Sequence, residues 1–549
     1  MQEFPLTKPQ KKLSMSFMYV AFISLLIGGL MGLLQVLVRT GKFTLPFGID
    51  YYQVLTVHGV ILALVMTTFF IIGFHYSIMA KTVGMTDKQR RLAWLSFWVM
   101  LAGTILAAAM ILLGQGSVLY TFYTPLRAHP IFYIGLTLVI VGTWIAAGIN
   151  FRQLYLWKKE HKDEKSPLLA FMVTINMIMW CIATLGLAAS VLFHILPWSL
   201  GYKATINVLL TRTLFWYFGH PLVYFWLLPA YMAWYAILPK IIGGKIFSDG
   251  LARLSFILFL MFSIPVGFHH QLTEPGIDPL WKYIQVTLTM AVVVPTLMTA
   301  FSLFATFETT GRKKGYTSLF GWFKKLPWKD ARFFAMFVGM LFFIPGGIGG
   351  IINASHQLNQ MVHNTVWVTG HFHLTVATAV MLTFFAIAYW LVPHLTGRTL
   401  TPGINRLGII QTITWGVGML IMSGAMHIAG LLGAPRRSAF SMYDGGEQVT
   451  TWIGYQIMQA VGGAILFIGI LLMVFIFIRL AFFAPKGEQE YPIAEEEDHA
   501  PPTPKILENW KLWIGLTAAL ILFAYTIPVI DIIQHSPPGS EPFDWPVGR

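Results

Sequence analysis

Apolar runs of about twenty residues or more alternate with short polar connections along almost the whole chain. They fall at residues 15–38, 54–80, 92–113, 130–156, 168–197, 206–239, 252–270, 281–307, 332–355, 364–394, 405–432, 450–482 and 511–534. A helix rises about 1.5 Å per residue, so about 20 apolar residues cross a hydrocarbon core about 30 Å thick. The pattern therefore predicts an all-α polytopic membrane protein of thirteen spans, a single membrane-embedded unit over residues 1–549. The first span has basic flanks but no small-residue cleavage pattern after it, so it reads as a retained helix rather than a signal peptide.

Composition sharpens this reading. The chain is 56% hydrophobic and only 11% charged, with mean hydropathy +0.67, whereas soluble domains carry about 25% charged residues. The formal net charge of +14 raises the question of nucleic acid, and the placement of the basic residues answers it. They crowd alternate loops: Lys8, Lys11 and Lys12; Lys81, Lys88, Arg90 and Arg91; Arg152 to Lys165; Lys240, Lys245 and Arg253; and the dense run from Arg312 to Arg332. The intervening loops are poor in them. By the positive-inside rule the N-terminus is cytoplasmic and, after thirteen spans, the C-terminus is outside. The surplus is topological; lipid, not nucleic acid, is the expected surrounding. Residues 483–510, rich in proline and containing the acidic run 495–498, read as a solvated cytoplasmic linker before the last span. With Cys181 the only cysteine, an internal disulfide framework is excluded and a cysteinyl iron–sulfur cluster disfavoured. Any metal must rely on histidine.

Six histidines inside apolar spans supply that chemistry: His58 in VLTVHGV, His220 in WYFGHPLVYF, His269 and His270 in PVGFHHQ, and His371 and His373 in TGHFH. Ionisable groups in a bilayer are costly and functional by default, and neutral imidazole is the commonest ligand for copper and haem iron. The predicted topology places all six in one slab near or above the midplane, on the outer side. Residues two apart on a helix point about 200° away from each other, so His371 and His373 can each serve a different neighbouring cofactor. His58 is then a natural second ligand for a six-coordinate site, leaving the other iron an open face. His220 with His269 and His270 suits a three-imidazole copper or zinc site. Adjacent histidines reach one metal only where the helix end is distorted, and Pro265 and Gly267 make that distortion available. Small residues in PGGIGGIINAS (345–355) would let backbone press on a flat macrocycle. Singly, histidines such as His75, His194 or His427 read as hydrogen-bonded packing residues.

In order and spacing these motifs resemble the catalytic subunit of the haem–copper oxygen reductases, most closely the B-type branch, over about residues 15–480. Strings such as TRTLFWYFGHPLVYFWLLPAY and NTVWVTGHFHL carry the resemblance. It implies low-spin haem b between His58 and His373, a high-spin haem of a- or o-type on His371, and one copper ion, copper B, on His220, His269 and His270. It also implies a covalent link between His220 and Tyr224, which stands at i+4, and a proton and electron from that tyrosine during reduction of dioxygen to water. An interfacial role suits Tyr224 poorly, because it lies deep in its span. Leu222 stands where the A-type branch has a glutamate. Tyr224, Tyr231 and Tyr235 form a stripe at i, i+7, i+11, and Thr296, Thr299 and Ser302 recur every third residue. Threonines that merely pack helices are common in membranes, but the resemblance makes these hydroxyls a proton pathway, with Ser248 near its entrance. It places Arg436 and Arg437 on haem propionates, fork-like donors suited to carboxylates, and His363 beside them. Asn359 replaces the aspartate of better-known relatives. The implied partners are a subunit II, carrying a dinuclear copper centre, and a small single-helix subunit. Cytochrome c is the implied electron donor, with quinol the alternative, and the setting is a prokaryotic plasma membrane. Two rival readings are a nitric oxide reductase, which would show non-haem iron near glutamates, and a polytopic transporter, which would show inverted repeats and broken helices. Tyr224 and the scarcity of intramembrane glutamate oppose the first. Metal content separates all three.

Overall fold

The computed structural model describes residues 4–439, 447–498, 501–535 and 537–543, and among them all regular structure is helical. Thirteen main helices follow in chain order: α1 Lys8–Val38, α2 Tyr51–Thr82, α3 Asp87–Leu112, α4 Pro130–Glu160, α5 Leu168–Ser199, α6 Val208–Ile241, α7 Asp249–Ser263, α8 Pro279–Lys313, α9 Ala331–Ala354, α10 Val366–Thr396, α11 Pro402–Leu431, α12 Thr450–Phe483 and α13 Trp510–Gln534. Twelve of these are long and apolar enough to cross a membrane. The exception is the expected span 252–270, where the helix is shorter than expected. The chain still passes from Asp249 at the N-terminal face to Glu274, paired with Arg212, at the opposite one. Helix α7 has 15 residues, a rise of about 22 Å, and stops at Ser263. Residues 264–266 then lead into one 3-10 turn, Gly267–His270. Pro265 has no N–H to donate and so removes one rung of the ladder just where α7 ends, followed two residues later by Gly267.

Polar caps set the helix starts. Asp50 accepts the Tyr52 and Gln53 N–H groups ahead of α2, and Thr86 with Gln89 forms a capping box before α3. Ser248 caps α7 through Leu251 N–H, and Asn509 caps α13 through Leu512 N–H. Lipid gives helices no hydrophobic reason to associate, so close contact relies on small residues. At the α3–α4 crossing a Cβ added to Gly103 would stand 2.4 Å from the Gly135 carbonyl oxygen. At the α11–α12 crossing one on Gly462 would stand 2.5 Å from the Met422 nitrogen.

The helices differ sharply in how deeply they sit. The apolar windows of α6 and α10 are 89% and 83% buried, against 33% for α3 and 28% for α13. The two most enclosed helices are those that carry His220 and the pair His371 and His373. The termini lie at opposite faces. Phe4 N–H donates to the Lys81 carbonyl, whereas Ser540 pairs with Ile206 and Phe543 with Pro125 and Arg127.

The acidic run 495–498 is not simply solvated, as expected from its composition. Lys245 pairs with Asp498 at 2.6 Å, Lys165 with Glu496 at 2.6 Å, and Lys313 with Glu497. Ile246 exchanges backbone hydrogen bonds with Glu495 and Glu497. The run is therefore drawn onto the lysines of the N-terminal face, although Glu495 and Asp498 remain largely exposed. Beneath it, Arg253, fully buried, binds Asp249 at 2.7 Å and Glu508 at 3.2 Å and donates to the Ser166 carbonyl at 2.6 Å. One guanidinium thus joins the starts of α5, α7 and α13.

Candidate metal centres

His220, His269 and His270 form a group whose candidate ligand atoms all lie within 4.8 Å of one another. Helix α6 brings the first and the turn after α7 brings the other two. The turn opens the helix end as the Pro265 and Gly267 pattern requires, so adjacent histidines face one point. Ring centroids are 4.4 Å apart for His220 and His269, 5.3 Å for His220 and His270, and 4.1 Å for His269 and His270. His220 Nδ1 and His270 Nε2 stand 3.1 Å apart, and His220 Nε2 is buried without a partner. His269 Nδ1 meets the Thr289 hydroxyl at 3.1 Å, which leaves Nε2 to face the group. A second-layer partner that fixes a ring nitrogen in this way is the usual companion of a metal-binding imidazole. His371 of α10 is close enough to bear electrostatically on each of the three. Donor type, spacing and burial all fit a copper ion.

His58 and His373 face each other across α2 and α10. His58 Nδ1 donates to the Gly28 carbonyl at 2.8 Å and His373 Nδ1 to the Thr369 carbonyl at 2.7 Å. Both Nε2 atoms are thereby left for another partner. The ring centroids are 6.4 Å apart and the planes lie within 10°. Two metal–nitrogen bonds of about 2 Å, plus half the width of each ring, come to about 6 Å. The pair fits bis-imidazole ligation of one haem iron. His371 and His373 do point to different neighbours, as their spacing requires: His373 toward His58, and His371 toward α9, where a Cβ on Gly349 would stand 2.8 Å from His371 Nδ1. A π-helical turn, Thr375–Val380, follows this pair directly, and another, Val60–Met66, follows His58. Such turns in α-helices often mark functional sites.

Tyr224 stands one helical turn from His220, with ring centroids 4.8 Å apart. Toward the N-terminal face the hydroxyl stripe is partly connected. Tyr235 donates to Thr299 at 3.0 Å and contacts Ser255 at 3.1 Å, all three being buried. Thr296 is the hydroxyl neighbour of Tyr231. Thr296 and Thr299 also bond backbone carbonyls of their own helix. Ser302 is buried, and Ser248 serves as the α7 cap without a hydrogen bond to the other hydroxyls. Ser255 escaped the sequence reading; its place seven residues after Ser248 on α7 was the available signal.

At the C-terminal face Arg212, Arg436 and Arg437 gather around His363, Tyr120 and Tyr123. Arg212 pairs with Glu274 at 2.5 Å, while the Arg436 guanidinium donates to the Asn364 side-chain oxygen at 3.1 Å. Arg437 lies over the rings of Tyr120 and Tyr123, at 5.9 and 5.1 Å. Its φ of 63° is in the left-handed region, a strained state for a bulky residue. Burial, then the neighbouring Arg437, pushes the Arg436 guanidinium down to about 10. Burial, then Arg436, Arg212 and Arg437, pushes His363 down to about 4. Among the described residues Glu274 is the carboxylate paired with this cluster, and three guanidinium groups so placed suit anions such as propionates. Asn359, buried, donates to the Asn353 backbone and side-chain oxygens at 2.7 and 3.1 Å.

Comparison with known proteins agrees with this geometry. Residues 12–465 match the family described as cytochrome c and quinol oxidase polypeptide I. The chain is 40% identical over 543 residues to a cytochrome c oxidase subunit 1 of Thermus thermophilus, covering 96% of each. It is 28% identical to one of Thermostichus vulcanus, covering 80% of this chain and 79% of that one. A solved heme-copper terminal oxidase dimer contains a chain that superposes with TM-score 0.91 at 37% identity, covering 98% of this chain and 96% of that one.

Proposed function

This chain belongs to the cytochrome c and quinol oxidase polypeptide I family and is the membrane-embedded subunit of a haem–copper terminal oxidase that reduces dioxygen to water; from that premise we propose which residues do what. His58 and His373 hold a low-spin haem b, His371 holds a high-spin haem of a- or o-type, and His220, His269 and His270 hold copper B. When bound, these groups supply electron transfer and the site of dioxygen reduction. The observation that carries the assignment is the pairing of two separate imidazole sets: three rings around one point and two nearly parallel rings 6.4 Å apart.

Tyr224 gives a proton and an electron at the reacting site, its ring held beside His220. Protons reach it from the N-terminal face through Ser248, Ser302, Thr299, Tyr235, Thr296 and Tyr231. The central step of that route is the bonded hydroxyl pair of Tyr235 and Thr299. Arg436, Arg437 and His363 hold the haem propionates, and Asn359 lends an amide there instead of a carboxylate. Alternating basic loops put the N-terminal face in the cytoplasm of a prokaryotic cell, with residues 483–510 as a linker on that face. The partners are a subunit II with a dinuclear copper centre, a small single-helix subunit, and cytochrome c as donor. The nitric oxide reductase alternative is not favoured: the relatives are oxidases, and Glu274, close in sequence to His270, is paired with Arg212. Metal analysis with a pyridine haemochrome spectrum tests the assignment. Two haems and one copper per chain are expected; two haems with extra iron, or no metal, would overturn it.

A further inference from the structure

The Gly267–His270 turn raises a question that its histidines do not answer. Helix α7 ends at Ser263, so the backbone groups on both sides of the break lose their helical partners. In a membrane interior such groups must be satisfied within the protein. Some partners are local, Val266 N–H donating to the Ile264 carbonyl at 2.8 Å and His269 N–H to the Val266 carbonyl at 3.4 Å, but the Gly267 and Phe268 N–H groups are met by two distant helices. The Tyr525 hydroxyl of α13 accepts the Gly267 N–H at 2.9 Å and donates to the Ile264 carbonyl at 3.4 Å, bridging the break. Gln285 of α8 accepts the Phe268 N–H at 2.8 Å through Oε1 and donates to the Ala524 carbonyl at 3.0 Å through Nε2, tying α8 to α13. The fit is tight. A Cβ on Gly267 would lie 2.5 Å from the Tyr525 oxygen and 2.7 Å from the Trp216 carbonyl. The Phe268 and Tyr217 rings meet the Tyr525 ring at 5.4 and 5.0 Å, and the Trp216 ring stacks on His270 at 3.8 Å.

We propose that Tyr525 and Gln285 are positioning residues of the copper centre: by holding the turn between α6, α8 and α13 they fix where His269 and His270 present their nitrogens. The thirteenth helix, whose apolar window is the least buried of the twelve long spans at 28%, is then part of the metal scaffold as well as a peripheral anchor. This rests on the assignment of copper to His220, His269 and His270, which the copper content of the wild-type holoenzyme tests separately. Loss of a partner that orients metal ligands typically weakens retention about 10- to 100-fold.

The test uses purified holoenzyme. Tyr525→Phe keeps the ring and removes only the hydroxyl. Its copper-to-iron ratio after dialysis against a chelator, and the vibrational band of carbon monoxide bound to copper, are compared with wild type. The expected result is copper loss about tenfold faster and a shifted or broadened band, with the low-spin haem spectrum and thermal midpoint retained. Gln285→Met should behave alike, and Gln285→Glu, which keeps an oxygen for the Phe268 N–H, should partly restore retention. Phe523→Leu changes the outer side of the same helix and should leave copper untouched. Wild-type retention with an unchanged band in Tyr525→Phe, or equal copper loss in Phe523→Leu, would overturn the proposal. Absence of copper from wild type would instead overturn the ligand assignment beneath it.

Discussion

A single hydroxyl or imidazole decides much here, because a buried polar group left without its partner is costly. His220 shares no ligand with the His58 and His373 pair. His220→Ala should therefore remove copper while leaving the low-spin haem spectrum in place, as metal analysis and an optical spectrum would show. Full copper and full turnover in that variant would remove the three-histidine reading. Thr299 receives the Tyr235 hydrogen bond at 3.0 Å inside the bundle. Thr299→Val keeps the shape and deletes that acceptor, so oxygen reduction should slow about tenfold or more, at least about 1.4 kcal/mol on the barrier, with both haem spectra kept. Turnover at the wild-type rate would make the stripe a packing feature. The histidines were legible in the sequence because each sits in a run where an ionisable group has no other excuse. Ser255 and Tyr525 were not, since a serine or a tyrosine in an apolar helix is unremarkable until its partner, far along the chain, is known.

Among the elements, α7 departs most from its expected form. It is short, broken at Pro265, and carries two candidate ligands past its end. Its other end is held by the buried Arg253, which joins Asp249, Glu508 and the Ser166 carbonyl. Arg253→Met leaves the buried Asp249 with only the more distant Lys165, at 3.6 Å, as a cation, and breaking a buried pair typically costs up to about 3–5 kcal/mol; a lower thermal midpoint in detergent would show it. Acid should loosen the same joint. Burial alone would raise the Glu508 carboxyl, but hydrogen bonds from Ser166 and Lys158 and the Arg253 charge outweigh it and hold Glu508 below its ordinary 4.5. A depressed carboxyl contributes stability that is present above its ordinary pKa and fades as pH falls through the lower folded value. Unfolding below about pH 4.5 should therefore be less steep in Glu508→Gln than in wild type; identical acid profiles would show that Glu508 takes no part. The expected thirteen helices are all present, and what differs is that this one stops at Ser263 instead of continuing to His270. Hydropathy averages over a window and sees apolar residues, not where the helical ladder is interrupted within it.

For the molecule as a whole, sidedness follows from charge and from parity. The termini lie at opposite faces, with the lysine-rich loops and the acidic run 495–498 gathered at the N-terminal one. A cysteine introduced at Asp498 should thus be shielded from a membrane-impermeant thiol reagent in intact cells, and one at Ser540 should be labelled. The reverse pattern would invert the proposed orientation and the direction of proton uptake.

The sequence by itself determined the class of the molecule, the approximate number and edges of its spans, and the residues that can bind metal. These depend on local composition and on the cost of polar groups in lipid, and both are written in consecutive residues. The opposed directions of His371 and His373 were also legible, because helical periodicity fixes them. The resemblance already implied the pairing of His58 with His373, and the tertiary structure set their ring planes within 10° of each other. It alone showed that an acidic stretch folds back onto Lys165, Lys245 and Lys313, and that α13 reaches the turn bearing His269 and His270. Those outcomes depend on which helix packs against which. In a bundle where nearly every exposed face is apolar, the choice rests on close small-residue contacts and scattered hydrogen bonds between residues hundreds of positions apart.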